Sequence, residues 1–484
     1  MIVPESGVPV TGLSGIRVLL VQPVVIINAE NPKKYVFSPG NELPLNVLCL
    51  ATFLRTHSID AKLLDLRIQS APWEELERVI RDFEPRVVGI TACSCEEIGA
   101  SVTATKVKAI DPSIMTVFGG IQASAEPETM ISRYPQFDTL AVGEGEFTLL
   151  EIIHAVASNS RWESIEGTVV RTDGSVRRNP TRSISDSIDV FPATDRSLID
   201  IYRYYPNPIT YNYNKLPTTG IIASRGCPYR CRHCSKGVWG NTVRFRSARS
   251  VFNEISDCVE RFGIRDFRFY DDVLTLQEGP LDMLCQLIIE NNLRISFNCY
   301  SRIDQISPDR LKLMRRAGCY HIKFGVESSS PRAIALSNRN TTADDAFRAI
   351  HMTKDAGILV KATFIMGMPG ENENDFDRTI ALACALKPDL VSFGLFTLFP
   401  GSNFYRRITH ENDLELRNSI LPPEIVLPYI SAAYLKFYFS FGFITGKIRF
   451  LARRPGMWIS ELRRITRGIV TLGWFFVRRS FNQA

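Results

Sequence analysis

The sequence predicts an α/β protein of several domains: an N-terminal doubly wound parallel sheet, a full or partial (β/α)6 barrel, and a C-terminal helical extension. Three observations lead there. The chain has 484 residues, about three times a ~150-residue domain. Apolar runs alternate with helical periodicities along two separate stretches, the pattern of parallel sheets covered on both faces. Hydrophobic residues make up 45% and charged residues 22%, which is globular and excludes a disordered, collagen-like or fibrous chain.

In the first stretch, 16–21 (IRVLLV), 61–66 (AKLLDL), 86–91 (RVVGIT), 114–118 (IMTVF) and 139–142 (TLAV) read as buried strands. Helical patterns lie near 44–57, 73–82, 95–109, 125–133 and 146–157. Ligands of such sheets sit outside the carboxyl ends of the strands. Those ends are Gln22-Pro23, Thr91, Gly119-Gly120 and Gly143-Glu144-Gly145-Glu146. No GxGxxG follows the first strand, which disfavours a nicotinamide dinucleotide. Residues 165–180 read as a hairpin turning at Asp173-Gly174, closing a first domain over 14–185. A stretch without periodicity, 186–215, serves as a linker.

The second stretch, 216–425, offers strands at 220–224, 266–270, 295–299, 321–325, 360–366 and 390–395. Helical patterns fill the gaps at 250–261, 281–290, 308–317, 344–356 and 373–386. Six strand–helix units suit a barrel whose chemistry lies at the C-terminal strand ends.

Charge is concentrated at one end. Residues 1–430 carry 47 Lys+Arg against 50 Asp+Glu, whereas 431–484 carry ten basic residues and one acid, Glu461. A uniformly basic nucleic-acid binder is excluded. Eleven cysteines, an odd number spread thinly, argue against a secreted disulfide scaffold. No secretory signal is apparent at the start, and no run reaches the ~18 apolar residues of a membrane span. A reducing compartment, the cytoplasm, is expected.

Cys227, Cys231 and Cys234 form Cys-x3-Cys-x2-Cys directly after the first strand of the second series. Three thiolates on one loop can hold three irons of a cubane cluster and leave the fourth iron open to a chelating ligand. A structural zinc is the alternative, and it wants four protein ligands in paired spacing. His233 is a poor fourth ligand because it abuts Cys234, and no second Cys pair follows at zinc-ribbon distance. The spacing favours the cluster.

The segment 224–235 (SRGCPYRCRHCS) resembles the cluster loop of radical S-adenosylmethionine (SAM) enzymes. Further matches follow in order at Phe269-Tyr-Asp-Asp272, Ser301-Arg302, Ala317-Gly-Cys319, Gly325-Val-Glu-Ser328, 364–371 (FIMGMPGE) and Phe399-Pro-Gly-Ser402. The N-terminal half is similar to the cobalamin-binding domain fused to many of these enzymes. Pro44-Leu45 opening a helix, Leu64-Asp-Leu66, Gly119-Gly120 and Gly143-Glu-Gly-Glu146 carry that likeness. Together the resemblance covers 14–425. It points to the cobalamin-dependent radical SAM proteins, which include carbon methyltransferases and an anaerobic ring cyclase of bacteriochlorophyll synthesis. The chain departs from the Asp-x-His-x-x-Gly cobalt-ligand motif. Its N-terminal domain has only His57 and His154, which read as helix-surface or packing histidines, so cobalamin would be held without a histidine ligand.

The resemblance implies roles residue by residue. Cys227, Cys231 and Cys234 would ligate a [4Fe-4S] cluster, whose open iron SAM would chelate. Asp271 and Asp272 would bring a carboxylate to the SAM ammonium, or else form a capping pair. Arg302 and Glu327 would contact the SAM carboxylate and ribose, or pair with each other. Gly367 and Gly370 would admit the adenine, or form an ordinary turn with Pro369. Thr91, Gly119, Gly120, Gly143 and Glu144 would line the cobalamin tail. The other cysteines, Cys93 and Cys95 among them, read as buried thiols. No side chain is assigned as catalytic.

The implied activity is methylation of an unactivated carbon through a 5′-deoxyadenosyl radical and methylcobalamin. The alternative is an oxidative cyclase or ring-rearranging enzyme without methyl transfer, in tetrapyrrole, lipid or natural-product biosynthesis. The partners implied are a small-molecule substrate and a low-potential electron donor such as flavodoxin or ferredoxin. In the extension, 426–484, the aromatic-rich runs 434–450 and 468–477 are flanked by basic residues. Such segments can lie in a bilayer interface, giving peripheral membrane contact through 431–484 and an apolar substrate. The alternative is a helical subdomain packed on the barrel with a solvated basic face.

Overall fold

The computed structural model describes residues 15–26, 41–206 other than Asp173, and 216–452 other than Gln277. The tail run 468–477 and the turn residue Asp173 lie outside the described residues. By internal packing the chain divides into two compact units. One combines the first 204 residues with Ile222–Phe262 and Leu398–Asn412; the other combines Tyr205–Ile221, Gly263–Thr397 and the chain from Asp413.

In the first unit, β1 (Arg17–Gln22), α1 (Leu45–Thr56), β2 (Asp60–Asp65), α2 (Pro72–Phe83), β3 (Val87–Thr91), α3 (Glu97–Ile110) and β4 (Met115–Gly119) alternate. Next come α4 (Ile121–Ala125), α5 (Pro127–Arg133), β5 (Thr139–Ala141), α6 (Gly145–Ala157) and the hairpin β6 (Thr168–Thr172) and β7 (Ser175–Arg178). The sheet order is β2-β1-β3-β4-β5-β6-β7, with β1 to β5 parallel and β6 and β7 antiparallel. Strand alternation builds one core on each face. Leu19, Val21, Val88, Ile90 and Phe118 pack with Leu76, Val79 and Ala104, whereas Val18, Leu20, Val87 and Val117 pack with Val47, Phe53, Leu150 and Ile153. Each such fully buried side chain contributes about 1.5–3 kcal/mol. The strand order reverses between β1 and β3, which places a ligand crevice outside their carboxyl ends.

Two local expectations change here. The helix expected over 125–133 starts two residues later, because Pro127 has no N–H to donate and opens α5, with the separate short α4 before it. The aperiodic stretch 186–215 is, in its described part, a packed segment. It forms 3-10 turns at Ile188–Val190, Arg196–Leu198 and Ile201–Arg203, started by Ser187, Asp195 and Asp200. Arg196 is fully buried and donates to Glu254, which also accepts from Arg246.

In the second unit, β8 (Thr218–Ile221) is the first barrel strand. The strand expected over 220–224 splits: β9 (Ser224–Arg225) leaves the sheet and pairs antiparallel with β10 (Arg244–Phe245), ahead of α7 (Ala248–Phe262), and these three elements belong to the first unit. The series continues as β11 (Asp266–Phe269), α8 (Glu278–Glu290), β12 (Ser296–Arg302), α9 (Pro308–Arg316), β13 (Cys319–Glu327) and α10 (Pro331–Leu336). It closes with α11 (Ala343–Asp355), β14 (Leu359–Met366), α12 (Glu373–Leu386) and β15 (Leu390–Leu395). Reciprocal capping boxes, Thr342 with Asp345 and Asn372 with Asp375, start α11 and α12. The sheet order β15-β14-β13-β12-β11-β8 follows the sequence with every pair parallel, a partial six-stranded barrel. After short α13 (Asn403–Thr409), which belongs to the first unit, α14 (Leu414–Asn418) leads to α15 (Pro423–Tyr438) and α16 (Phe441–Ala452). The extension expected from 426 begins inside α15, which buries Val426, Ala433 and Phe437 and packs on β15 and α12. No described helix is long and apolar enough to cross a membrane.

Candidate functional site

The three cysteines occupy the loop between β9 and β10. Cys231 is buried, Cys227 half-buried and Cys234 exposed, and none of the eleven cysteines is in a disulfide. A clamp closes the neck of this loop. Arg225 and Arg244 are register partners across the β9–β10 ribbon, and both donate to the Glu144 carboxylate, at 2.9 Å and 2.6 Å. Trp239 Nε1 adds a bond to Glu144 at 3.1 Å, and Arg225 also reaches Glu146 at 2.5 Å. Burial alone would raise the Glu144 carboxyl, but the Arg244 hydrogen bond and the Arg225 charge hold it below the ordinary carboxylate range. A second strap comes from Gly401-Ser402. Lys236 N donates to Gly401 O at 3.2 Å, Phe404 N to Arg232 O at 3.0 Å, and Ser235 bridges Ser402. Gly401 has φ +78°, and a Cβ there would strike Ser235 Oγ at 2.7 Å.

Glu144, expected to line the cobalamin tail, thus spends its carboxylate inside the protein. Its position between β5 and α6 puts it within reach of both ribbon arginines. The other residues expected at this edge do meet. Thr91 and Gly119 are register partners. Gly120, at φ +94°, lies so close that a Cβ would meet Thr91 Oγ1 at 2.5 Å. Gly143 N donates to Ser124 Oγ at 3.0 Å. The result is a ledge of bare backbone at the carboxyl ends of β3, β4 and β5, which suits an elongated ligand tail.

His57 and His154 lie at the C-terminal ends of α1 and α6, the opposite end of the sheet from that ledge. His57 Nδ1 meets Phe53 O at 2.9 Å and its ring packs on Phe53. Burial, with a smaller effect of His57, lowers the His154 pKa. Both are half-buried helix-end histidines. Cys93 and Cys95 are not buried thiols. They sit on a 3-10 turn past β3, where Cys95 is exposed and Cys93 half-buried, with their sulfurs 3.2 Å apart.

At the carboxyl ends of the barrel strands, Asp271 is buried and Asp272 exposed, just past β11. Arg302 and Glu327 do not pair with each other. Arg302 bonds Asp304 at 2.8 Å and Glu327 bonds Arg339 at 3.1 Å. Glu327 has φ +71° where the β13–β14 register shifts, a left-handed conformation that a non-glycine residue adopts at a cost. Gly367 and Gly370 have φ +85° and +84°. A Cβ at Gly367 would press on Val426 at 3.1 Å, and one at Gly370 on Leu336 at 2.8 Å. Their close approaches are to the protein's own side chains. The turn is held by Glu371, whose Oε2 accepts from Gly367 N at 2.8 Å and Met368 N at 2.9 Å, while Ser328 donates to Oε1. Burial pushes the Glu371 carboxyl up to about 7, against the pull of those hydrogen bonds. Sequence reasoning missed Arg225, Arg244 and Glu371. Arg225 and Glu371 stand inside the matched segments, unread because the cysteines and glycines carried the match.

The residues present fit the expected cofactors. Among the described residues no three His, Cys, Asp or Glu converge as ligands of a single ion. Three thiolates on one loop suit a cluster, where each binds a different iron. The bare ledge suits cobalamin. The Radical SAM superfamily profile matches residues 221–383 and the B12 binding domain profile residues 37–153. An uncharacterized methyltransferase of Pyrococcus horikoshii, PH0819, is 27% identical over 409 residues, 82% of this chain and 87% of that protein. The anaerobic magnesium-protoporphyrin IX monomethyl ester cyclase of Rubrivivax gelatinosus is 26% identical over 394 residues, 79% of this chain and 70% of that protein. Among solved structures, the radical SAM methyltransferase TsrM of Kitasatospora setae, with cobalamin and a [4Fe-4S] cluster bound, matches with a TM-score of 0.67. That match has 20% identity over 82% of this chain and 75% of that one, and shows the fold. With a [4Fe-4S] cluster, SAM and cobalamin as its cofactors, this chain belongs to the cobalamin-dependent radical SAM family.

Proposed function

We propose that this enzyme methylates an unactivated carbon of a small molecule. The observation that carries the reading is the Glu144 clamp. It ties the cysteine loop into the same compact unit as the carboxyl edge of the cobalamin-type sheet. When bound, the cluster and SAM supply radical removal of hydrogen from carbon, and cobalamin supplies the methyl group. The protein's own part is positional. Cys227, Cys231 and Cys234 would hold the cluster, with the clamp and the Gly401-Ser402 strap fixing their loop. Asp271 and Asp272 would orient SAM by its ammonium, and Arg302 and Glu327 by its carboxylate and ribose. Thr91, Gly119, Gly120 and Gly143 would seat the cobalamin tail.

Likeness to PH0819 over 82% of this chain and 87% of that protein supports methyl transfer. Likeness to the cyclase supports the alternative, ring closure without methyl transfer. Anaerobic incubation with methyl-labelled SAM and substrate tests the two. Label in the product supports the proposal, and a cyclised or rearranged product without label supports the alternative. A flavodoxin or ferredoxin is the class of donor this chemistry calls for.

We further propose peripheral contact with the cytoplasmic face of a membrane around α16. Phe439 and Phe441 are 73% and 83% exposed, with Ile444 and Ile448 also exposed, and a basic stretch follows in sequence. Full-length protein should float with anionic liposomes and a chain ending at Ser440 should not. Equal flotation contradicts the contact.

A further inference from the structure

The first unit carries a second group of thiols, apart from the cysteine loop. Cys93 and Cys95 flank Ser94 just past β3, with their sulfurs 3.2 Å apart. An extended chain would set alternate residues about 6.6–6.8 Å apart, near the far limit that a disulfide spans. Here the chain bends after Cys93 into a 3-10 turn over Ser94–Glu96, which rises only about 2.0 Å per residue and draws the two side chains together.

The turn is held from both sides. Cys93 N donates to Glu96 Oε2 at 3.0 Å, and Gln22 at the end of β1 donates to Glu96 Oε1 at 2.7 Å. Ser94 Oγ donates to Gln122 Oε1 at 2.8 Å, and Gln122 N to Ala92 O at 3.2 Å. The proximity of the sulfurs is therefore fixed by surrounding structure. Access is also provided. Of the eleven cysteines, Cys95 and Cys234 are the exposed ones, and Cys234 belongs to the cysteine loop. Cys299 and Cys319 also interact with each other, but both are fully buried, where a reagent in water does not reach them. The Cys93 hydrogen bond lowers the Cys95 thiol, with burial working against it, so an exposed sulfur carries thiolate character beside a less acidic neighbour.

We propose that Cys93 and Cys95 form a redox modification site, a dithiol that a low-molecular-weight disulfide of the glutathione kind converts reversibly to a Cys93–Cys95 disulfide. Cys95 Sγ attacks as the thiolate, the S–S bond of the reagent breaks, and its first half leaves as a thiol that takes up the proton given up by Cys95. The mixed disulfide so formed on Cys95 lies beside Cys93. Cys93 Sγ then attacks Cys95 Sγ, releasing the second half of the reagent with the Cys93 proton. The two protein thiols lose two electrons, and one disulfide is reduced to two thiols. Closure takes the sulfurs from 3.2 Å to about 2.05 Å, a movement that side-chain adjustment on this turn can supply. The site gives the chain a two-electron response to oxidising conditions at the carboxyl edge of the first sheet, separate from the cysteine loop.

The test uses the full-length chain carrying its cofactors, incubated anaerobically with glutathione disulfide, alkylated with iodoacetamide and digested for mass spectrometry. A disulfide joining Cys93 to Cys95 is expected, reversed by dithiothreitol, with Cys299 and Cys319 remaining reduced. This readout needs no variant. Cys93→Ser should stop at a glutathione mixed disulfide on Cys95, because the second thiol is gone. Cys95→Ser should slow glutathione capture at position 93 at least tenfold relative to capture by Cys95 in Cys93→Ser. Free thiols at both positions after exposure overturn the site, as does a disulfide from either one to another protein cysteine. Failure of Cys93→Ser to take up glutathione, or equal capture by the two variants, overturns it as well.

Discussion

Replacing Glu144 by alanine tests the clamp directly. The side chain is 8% exposed and accepts from Arg225, Arg244 and Trp239. Without it Arg225 keeps Glu146, and Arg244 keeps only the Ser185 carbonyl at 2.7 Å among these partners. Removing one partner of a buried ion pair costs about 3–5 kcal/mol, because the remaining charge stays out of water. For a unit of this size 1 kcal/mol shifts the melting temperature by about 2–4 °C, so a fall of roughly 10 °C is expected. The loss falls on a ribbon of two residues per strand, so the cysteine loop loosens first and cluster content drops with it. Glu144→Gln, which keeps the shape and one acceptor oxygen, should fall between. The depressed carboxyl adds a pH signature. Its contribution is present above the ordinary carboxylate range and is lost as pH falls through the lowered folded value, so wild type and Glu144→Gln should converge in acid. The assay is a thermal melt with iron and sulfide quantitation after anaerobic reconstitution. An alanine variant with wild-type iron content and an unchanged melt would refute the clamp.

Three further outcomes follow from the structure. Cys231→Ala should abolish cluster assembly while cobalamin still binds, measured by iron content and corrin absorbance; full iron content contradicts the ligand assignment. Glu371, raised from 4.5 to about 7, keeps in the native state a proton that the unfolded chain releases. Its contribution is complete below the unfolded value and lost as pH rises to about 7. The stability of wild type relative to Glu371→Gln should therefore fall by on the order of 3 kcal/mol from about pH 4.5 to 7, and a flat difference in denaturant melts contradicts this. At the β3 turn, the Cys93 hydrogen bond lowers the Cys95 thiol to about 7, while the hydrogen bond with Cys95 and burial raise Cys93. Limiting iodoacetamide at neutral pH should label Cys95 first, as mass spectrometry would show; equal labelling contradicts it.

Much of the fold is legible because its signals are local and repeated. Val18, Leu20, Leu19 and Val21 make a continuous apolar run that only a strand covered on both faces can bury. The helices read over 344–356 and 373–386 are α11 and α12 to within a residue at each end. What escaped depends on long-range geometry. Nothing near Glu144 in sequence reveals that Arg225 and Arg244, 81 and 100 residues away, turn to meet it. The 220–224 run reads as one strand because its chemistry is uniform, and the departure of β9 toward β10 is set by the loop's return. Lys323 and Lys361 are ordinary charges until register places them level with each other and with Tyr300. Gly367 and Gly370 were legible as glycines, but not the side chains that would crowd a Cβ there.

The central claim is that radical chemistry and methyl transfer are coupled in this chain. It is tested most directly by the ratio of S-adenosylhomocysteine to 5′-deoxyadenosine formed during anaerobic turnover of the reconstituted full-length enzyme. Methyl transfer consumes one SAM as methyl donor and another as radical source, so the two products should accumulate in equal amounts. Formation of 5′-deoxyadenosine without S-adenosylhomocysteine would contradict the account and leave cyclisation or rearrangement in its place.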